Sequence, residues 1–272
     1  MAKIEWTDIT VNPIKGKCPT ACPYCYARAM YDDNHWDPSI RFMPEVLDNL
    51  PKKPCRVFVG STIDLFLFPD WMAAILERFR RYPDHTFILL TKKPEELHKY
   101  SPFPDNCHVG VSATHGLMLD HACEALMNIE APVKFVSIEP FIGSFESLTR
   151  HWFINAGINW VIIGAMTGRK NKPLEMQKHY YYARLNLQKL DDTGRKYVLL
   201  PPSIDHVRNV VTAADEAGAR VFLKDNLEPL LKDAIMALNR DLYWRDGYYT
   251  APEHPDIDLH LRQELPDRRA KE

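Results

Sequence analysis

The chain has 272 residues, enough for one large domain or two small ones, and 46% hydrophobic with 26% charged residues is the composition of a globular protein able to bury a sizeable core. A net charge of −2, with both signs scattered along the chain, gives no electrostatic footprint for non-specific nucleic-acid binding. No run approaches the roughly 18 apolar residues of a membrane span, and MAKIEWTDIT lacks the apolar stretch of a signal peptide. A cytoplasmic protein is expected, its six cysteines free or metal-bound in a reducing compartment.

In chain order, the first element is a strand near IEWTDITV (4–11). Directly after it, KGKCPTACPYCYARAM (15–30) places Cys18, Cys22 and Cys25 within eight positions. A disulfide would leave one thiol over, and structural zinc wants a fourth ligand, for which His35 is the nearest histidine but without finger-like spacing. A four-iron cubane held by three thiolates leaves one iron open, by the logic of a catalytic metal that keeps a free coordination position. Cys55, Cys107 and Cys123 lie apart and read as small buried hydrophobes.

Six further apolar runs follow: CRVFVGS (55–61), TFILLTK (86–92), CHVGVSA (107–113), VKFVSIEP (133–140), WVIIGAM (160–166) and ARVFLKD (219–225). Their near-continuous apolar character predicts strands buried on both faces of a parallel sheet. Helical periodicity fills 69–83, bounded by Pro69 and Pro83, then 119–129, then 204–219 with Gly218 as C-cap. Repeated βαβ units follow, as a doubly wound sheet or as a full or partial barrel. Segment 168–200 is a polar and aromatic elaboration, with a small basic patch in GRKNKP, Lys178 and Arg184 and an aromatic run at 179–183. Residues 1–243 form the main body, and 244–272 an irregular extension whose Trp244, Tyr248 and Tyr249 beside Arg245 could close the barrel mouth.

Polar residues end these strands: Ser61 and Asp64, Thr91 and Lys92, Ser112, Glu139, Thr167, Lys224 and Asp225. In parallel α/β folds the active site is built at that edge. Lys92, Glu139 and Lys224 stand out, because a charge abutting a buried apolar run is costly unless paired or bound.

The motif C-x3-C-x2-C with Tyr24 before the last cysteine, on the loop after the first strand, resembles the signature of the radical S-adenosylmethionine (radical SAM) enzymes. The ordered segments IEWTDITVNPIKGKCPTACPYCYA, VFVGSTIDLF, TFILLTKKPEEL, HVGVSAT, VKFVSIEPFIG, WVIIGAMTG and ARVFLKDNL, within 4–227, are similar to the phage Gp37/Gp68-like family, also called DUF5131. The resemblance implies a partial (β/α)6-type TIM barrel with a C-terminal extension, and a [4Fe–4S] cluster on Cys18, Cys22 and Cys25. It implies that S-adenosylmethionine chelates the open iron and that an external electron donor drives its cleavage to a 5′-deoxyadenosyl radical. That radical takes hydrogen from a substrate: a small molecule, a nucleotide or a nucleic acid.

On the same resemblance, Gly60, Ser61 and Thr62 contact the methionine amino group and Lys92 its carboxylate. Ser112 and Glu139 lie where the ribose or carboxylate binds, Gly164 where backbone meets adenine, and Tyr24 packs on adenine. Asp64, Lys224 and Asp225 are candidates for substrate contact or for delivering a proton or hydrogen atom. Tyr26 reads equally well as packing on the first helix. The competing functions are a zinc-binding module without catalysis and a cluster protein that only carries electrons.

Overall fold

The seven apolar runs become seven parallel strands: β1 (Ile9–Val11), β2 (Arg56–Val59), β3 (Thr86–Thr91), β4 (Cys107–Ala113), β5 (Val133–Ile138), β6 (Trp160–Ile163) and β7 (Arg220–Leu223). This computed structural model describes residues 4–145, 149–168, 188–189, 197–200, 202–231 and 261–267. Strand order in the sheet equals order in the chain, with every neighbour parallel. A doubly wound sheet reverses its order partway along, and this one does not, so of the two architectures the sequence left open the chain adopts the barrel type. Among the described residues β1 and β7 do not pair, which makes it an open half-barrel.

Helices α1 (Tyr26–Asp33), α2 (Pro69–Phe79), α3 (Gly116–Met127), α4 (Thr149–Ala156) and α5 (Ile204–Glu216) connect the strands, with a 3₁₀ stretch at Pro94–Tyr100 between β3 and β4. The periodic segments end earlier than predicted at Phe79 and Met127, while Gly218 follows α5 at φ +70° as expected of a C-cap residue. Elaborating the fold after β6, strands Met166–Gly168, Gln188–Lys189 and Tyr197–Leu200 make a small antiparallel sheet. Lys178, Arg184, the aromatic run 179–183 and the tail residues Trp244, Arg245, Tyr248 and Tyr249 lie outside the described residues.

Strand alternation divides the sheet into two apolar faces. Val57, Leu89, Val109, Val136, Val161 and Val221 pack outward with the helices. Phe58, Ile88, Phe135, Trp160, Ile162 and Phe222 point inward and form a second cluster with Trp6 and Val133. Both faces are buried, which is why the runs are apolar throughout rather than alternating.

Two terminal segments complete the inner cluster. The Trp6 ring lies 4.7 Å from Phe58 and 5.9 Å, edge-on, from Trp160. Residues 261–267 run antiparallel along β7, where Leu223 N donates to Arg262 O (2.7 Å) and Glu264 N to Val221 O (3.0 Å). They then meet the first residues of β6 and β2, as Trp160 Nε1 donates to Glu264 O and Arg56 Nη2 to Pro266 O. The half-barrel is thus filled at the N-terminal ends of its strands, and the polar strand ends lie at the opposite rim.

Candidate active site

The cysteine loop begins where β1 stops. A two-residue ribbon, Ile14–Lys15 against Arg41–Phe42, turns the chain with Ile14 fully buried. The loop is held from several sides: Gly16 N donates to Tyr31 Oη (2.8 Å), Lys17 N to Pro38 O (3.0 Å), and Arg28 Nη1 to Cys18 O (3.1 Å). Cys25 N donates to Cys22 O, closing a turn just before α1. Ala21 takes φ +51°, a conformation that non-glycine residues hold only when their surroundings enforce it.

All three thiols are free and half-buried. Burial pushes the Cys22 thiol up, the Lys92 ammonium pulls it down, and Cys25 and Cys18 push it up again, so the three sulfurs feel one another's charge. Among the described residues no three donors converge as a ready-made site for a single metal ion. His35 stands exposed on the turn after α1. Three free thiols on one constrained loop fit, by donor chemistry, an inorganic cluster held by cysteine thiolates.

Beside this loop is the turn after β2. Gly60 sits at φ +86° with its N–H on Val11 O (2.9 Å), and a Cβ there would lie 2.6 Å from Leu65 Cγ. Only glycine meets both demands. Asn12 Oδ1 accepts from Ser61 Oγ (3.2 Å) and Thr62 N (3.3 Å), and Ser61 O accepts from Tyr26 Oη (2.9 Å). Tyr26 is 54% exposed, so it does not pack α1 into the core. Instead its hydroxyl ties that helix to the turn, within electrostatic range of Cys25, Glu139 and Lys224.

Lys92 continues the inward alternation of β3 and lies half-buried with its Nζ 5.8 Å from the Tyr24 ring centroid. Asp64 lies beneath it. Its carboxylate accepts from Thr91 Oγ1 (2.9 Å to each oxygen), Lys92 N (2.8 Å) and Phe66 N (3.2 Å). Burial pushes the Asp64 carboxyl upward against these bonds, which pull it down.

Across the rim, the Lys224 ammonium pairs with Glu139 Oε1. A Cβ on Gly164 would lie 2.8 Å from Lys224 Cδ and 3.2 Å from Glu139 Cδ, so the glycine is the gap through which the pair meets. Burial pulls the lysine down, but Glu139, joined by Glu5, outweighs it and holds the ammonium above its ordinary value. Burial in turn raises Glu5, which accepts from Asp225 N (2.9 Å). Asp225 is exposed at the β7 edge, where its Oδ1 accepts from Gln263 Nε2 (2.7 Å). Ser112 is 2% exposed and in register with Ser137, below the rim.

The sequence-predicted residues therefore fall into three groups around one rim: the cysteine loop with Tyr24 and Lys92, the Gly60–Thr62 turn, and Glu139 with Gly164 and Lys224. Asp64 and Asp225 have carboxylates engaged by neighbouring backbone and side chains. Asn12, Glu5 and the hydroxyl of Tyr26 escaped the sequence reading. Asn12 is the first polar residue beyond β1, so the strand-end rule could have found it.

Residues 1–184 match the family described as "Protein of unknown function (DUF5131)". Two solved structures share the fold. Spore photoproduct lyase complexed with dinucleoside spore photoproduct has a TM-score of 0.53 and 11% identity, covering 78% of this chain and 76% of that one. A cysteine-to-serine mutant of spore photoproduct lyase has a TM-score of 0.53 and 12% identity, covering 79% and 76%. None of the curated proteins matches the chain.

Proposed function

The chain belongs to the DUF5131 family, and from that premise we propose that it is a radical S-adenosylmethionine enzyme. One observation carries the reading: three free, half-buried thiols occupy a single constrained loop at the C-terminal rim of an open parallel half-barrel. When bound, the [4Fe–4S] cluster supplies the single electron that cleaves S-adenosylmethionine reductively, yielding a 5′-deoxyadenosyl radical able to take hydrogen from a substrate.

The chain's own residues bind and orient. Cys18, Cys22 and Cys25 are the thiolate ligands. The Gly60–Thr62 turn offers oxygen acceptors for the methionine ammonium, in a shape fixed by Asn12 and Tyr26. Lys92 provides the cation for the carboxylate, as a compact point charge. Tyr24 offers a ring face to the adenine, and Glu139 accepts from the ribose hydroxyls. Ser112 backs the floor of that site, and Gly164 keeps it open by lacking a side chain. Lys224 and Asp225 lie toward β7 and face the substrate.

For substrate we favour a nucleotide or nucleic acid over another small molecule. The fold is shared with a lyase solved with a dinucleoside photoproduct, and the rim joins ring faces to hydrogen-bonding groups. An external low-potential electron donor is required. None of the six cysteines, all among the described residues, is in a disulfide, which suits a reducing cytosol. Among the described residues no helix is long and apolar enough to cross a membrane.

Anaerobic reconstitution with iron and sulfide tests the cluster. Close to four irons and four sulfides per chain are expected, lost in Cys22→Ala. Stoichiometric zinc without iron uptake overturns the reading.

A further inference from the structure

We propose that Lys92 is the charge this chain sets beside its cysteine loop to ease reduction of the cluster, and that Asp64 is a positioning residue that holds Lys92 there. The inference rests on the radical SAM reading and adds a task to the rim that the reading does not contain.

The Asp64 carboxylate takes four donor contacts. Three of them come from the last residue of β3 and the one after it: Thr91 Oγ1 on both oxygens and Lys92 N on one. Phe66 N supplies the fourth, which ties the same carboxylate to the loop after β2. Thr91 Oγ1 in turn accepts from Lys93 N (2.8 Å). The backbone at 91–93 is thereby fixed by side chains where the sheet has ended and no ladder bond can fix it. A carboxylate with its oxygens occupied in this way is poorly placed for proton transfer and well placed to hold a neighbour.

The neighbour it holds is a lysine aimed inward. Lys92 Nζ lies over the Tyr24 ring, and Tyr24 stands between Cys22 and Cys25 in sequence. The adjacent lysines point elsewhere: Lys93 pairs with Glu95 (3.5 Å) and Lys99 with Glu96 (2.6 Å). Among the described residues no carboxylate forms an ion pair with Lys92, so its field at the loop is not cancelled by direct pairing.

Reduction adds one electron, from a low-potential one-electron donor, to a cluster already carrying three thiolate charges. No bond is made or broken. The cost of that electron depends on nearby charge, and a half-buried ammonium favours the more anionic, reduced state.

The test is the midpoint potential of the reconstituted cluster, titrated anaerobically without S-adenosylmethionine and read by electron paramagnetic resonance. At unchanged iron content, Lys92→Met is expected to shift the potential to more negative values and Lys92→Arg to retain it. Asp64→Asn removes a negative charge, which alone would shift the potential positive; displacement of Lys92 shifts it negative, toward Lys92→Met. In the Lys92→Met background no ammonium is left to displace, so adding Asp64→Asn is expected to leave only its charge effect and to give no further negative shift. Thr91→Val, which removes the hydroxyl donor, serves in place of Asp64→Asn should that variant not fold.

A potential unmoved in Lys92→Met overturns the role of Lys92. A positive shift in Asp64→Asn, or an absent shift in the charge-neutral Thr91→Val, overturns the role of Asp64. A wild-type chain that assembles no cluster instead defeats the proposed function, which keeps the two failures distinct.

Discussion

The Lys224 ammonium reaches the Glu139 carboxylate by crossing strand β6 over the bare Cα of Gly164. Three strands thus meet in one contact, from residues 139, 164 and 224. A methyl group at 164 would fall 2.8 Å from Lys224 Cδ and 3.2 Å from Glu139 Cδ. Gly164→Ala should therefore force the pair apart or strain it, at a cost of about 1–3 kcal/mol in chemical denaturation. A variant as stable as the parent would show that the pair has slack the geometry does not reveal.

The same pair predicts an alkaline limit. The folded-state pKa of Lys224 is raised above its ordinary 10.5 because its carboxylate partners outweigh burial. Its contribution is therefore complete below 10.5 and lost as pH rises through the higher folded value. Lys224 is 16% and Glu139 30% exposed, so Lys224→Met should cost on the order of 2 kcal/mol at neutral pH. Melting curves of the two proteins should run parallel up to about pH 10 and converge above it. A constant gap up to strongly alkaline pH would contradict the assignment.

Gly60 makes a sharper demand. At φ +86°, with Leu65 Cγ 2.6 Å from any Cβ, Gly60→Ala combines backbone strain with a clash. A loss of about 2 kcal/mol or more is expected. Because Asn12 and Tyr26 bind the same turn, S-adenosylmethionine affinity measured by equilibrium dialysis should also fall. Affinity retained in a destabilised variant would remove the turn from the binding site.

The six cysteines should separate chemically. Burial pushes the Cys123 thiol up to about 12 and raises Cys107 further, so neither forms thiolate near neutrality. In the native cluster-free chain, iodoacetamide should label Cys18, Cys22 and Cys25 and spare Cys107 and Cys123. Cys55, Cys107 or Cys123 to Ala should leave the brown colour of anaerobically purified protein, and loss of any loop cysteine should abolish it. Colour that survives loss of Cys22 would be incompatible with the ligand set.

Much of this arrangement was legible in the sequence because parallel strands leave a plain trace. A strand buried on both faces must be apolar at every position, as in WVIIGAM, and the polar residue ending it marks the rim. That rule located Lys92, Glu139 and Lys224 without any knowledge of contacts. Contacts between distant segments leave no such trace. Nothing local in DLF reveals that Asp64 is filled by donors from β3, or that Gly164 clears a path for a lysine 60 residues on. For Tyr26, at the start of α1, the sequence allows a place near the cluster and helix packing equally, and only the contact of its hydroxyl with the Ser61 carbonyl shows what it holds. Strand order was equally hidden: seven similar runs allow a reversal as readily as a march, and only the pairing of each with the next decides.

Radical chemistry at the cysteine loop should leave 5′-deoxyadenosine as its product. The direct measurement is anaerobic incubation of the reconstituted chain with dithionite and S-adenosylmethionine, with 5′-deoxyadenosine followed by chromatography. 5′-Deoxyadenosine is expected from the wild-type chain and none from Cys22→Ala. A wild-type chain that holds a reduced cluster and binds S-adenosylmethionine, yet forms no 5′-deoxyadenosine even with nucleotide or nucleic-acid substrates present, would contradict radical chemistry at this loop.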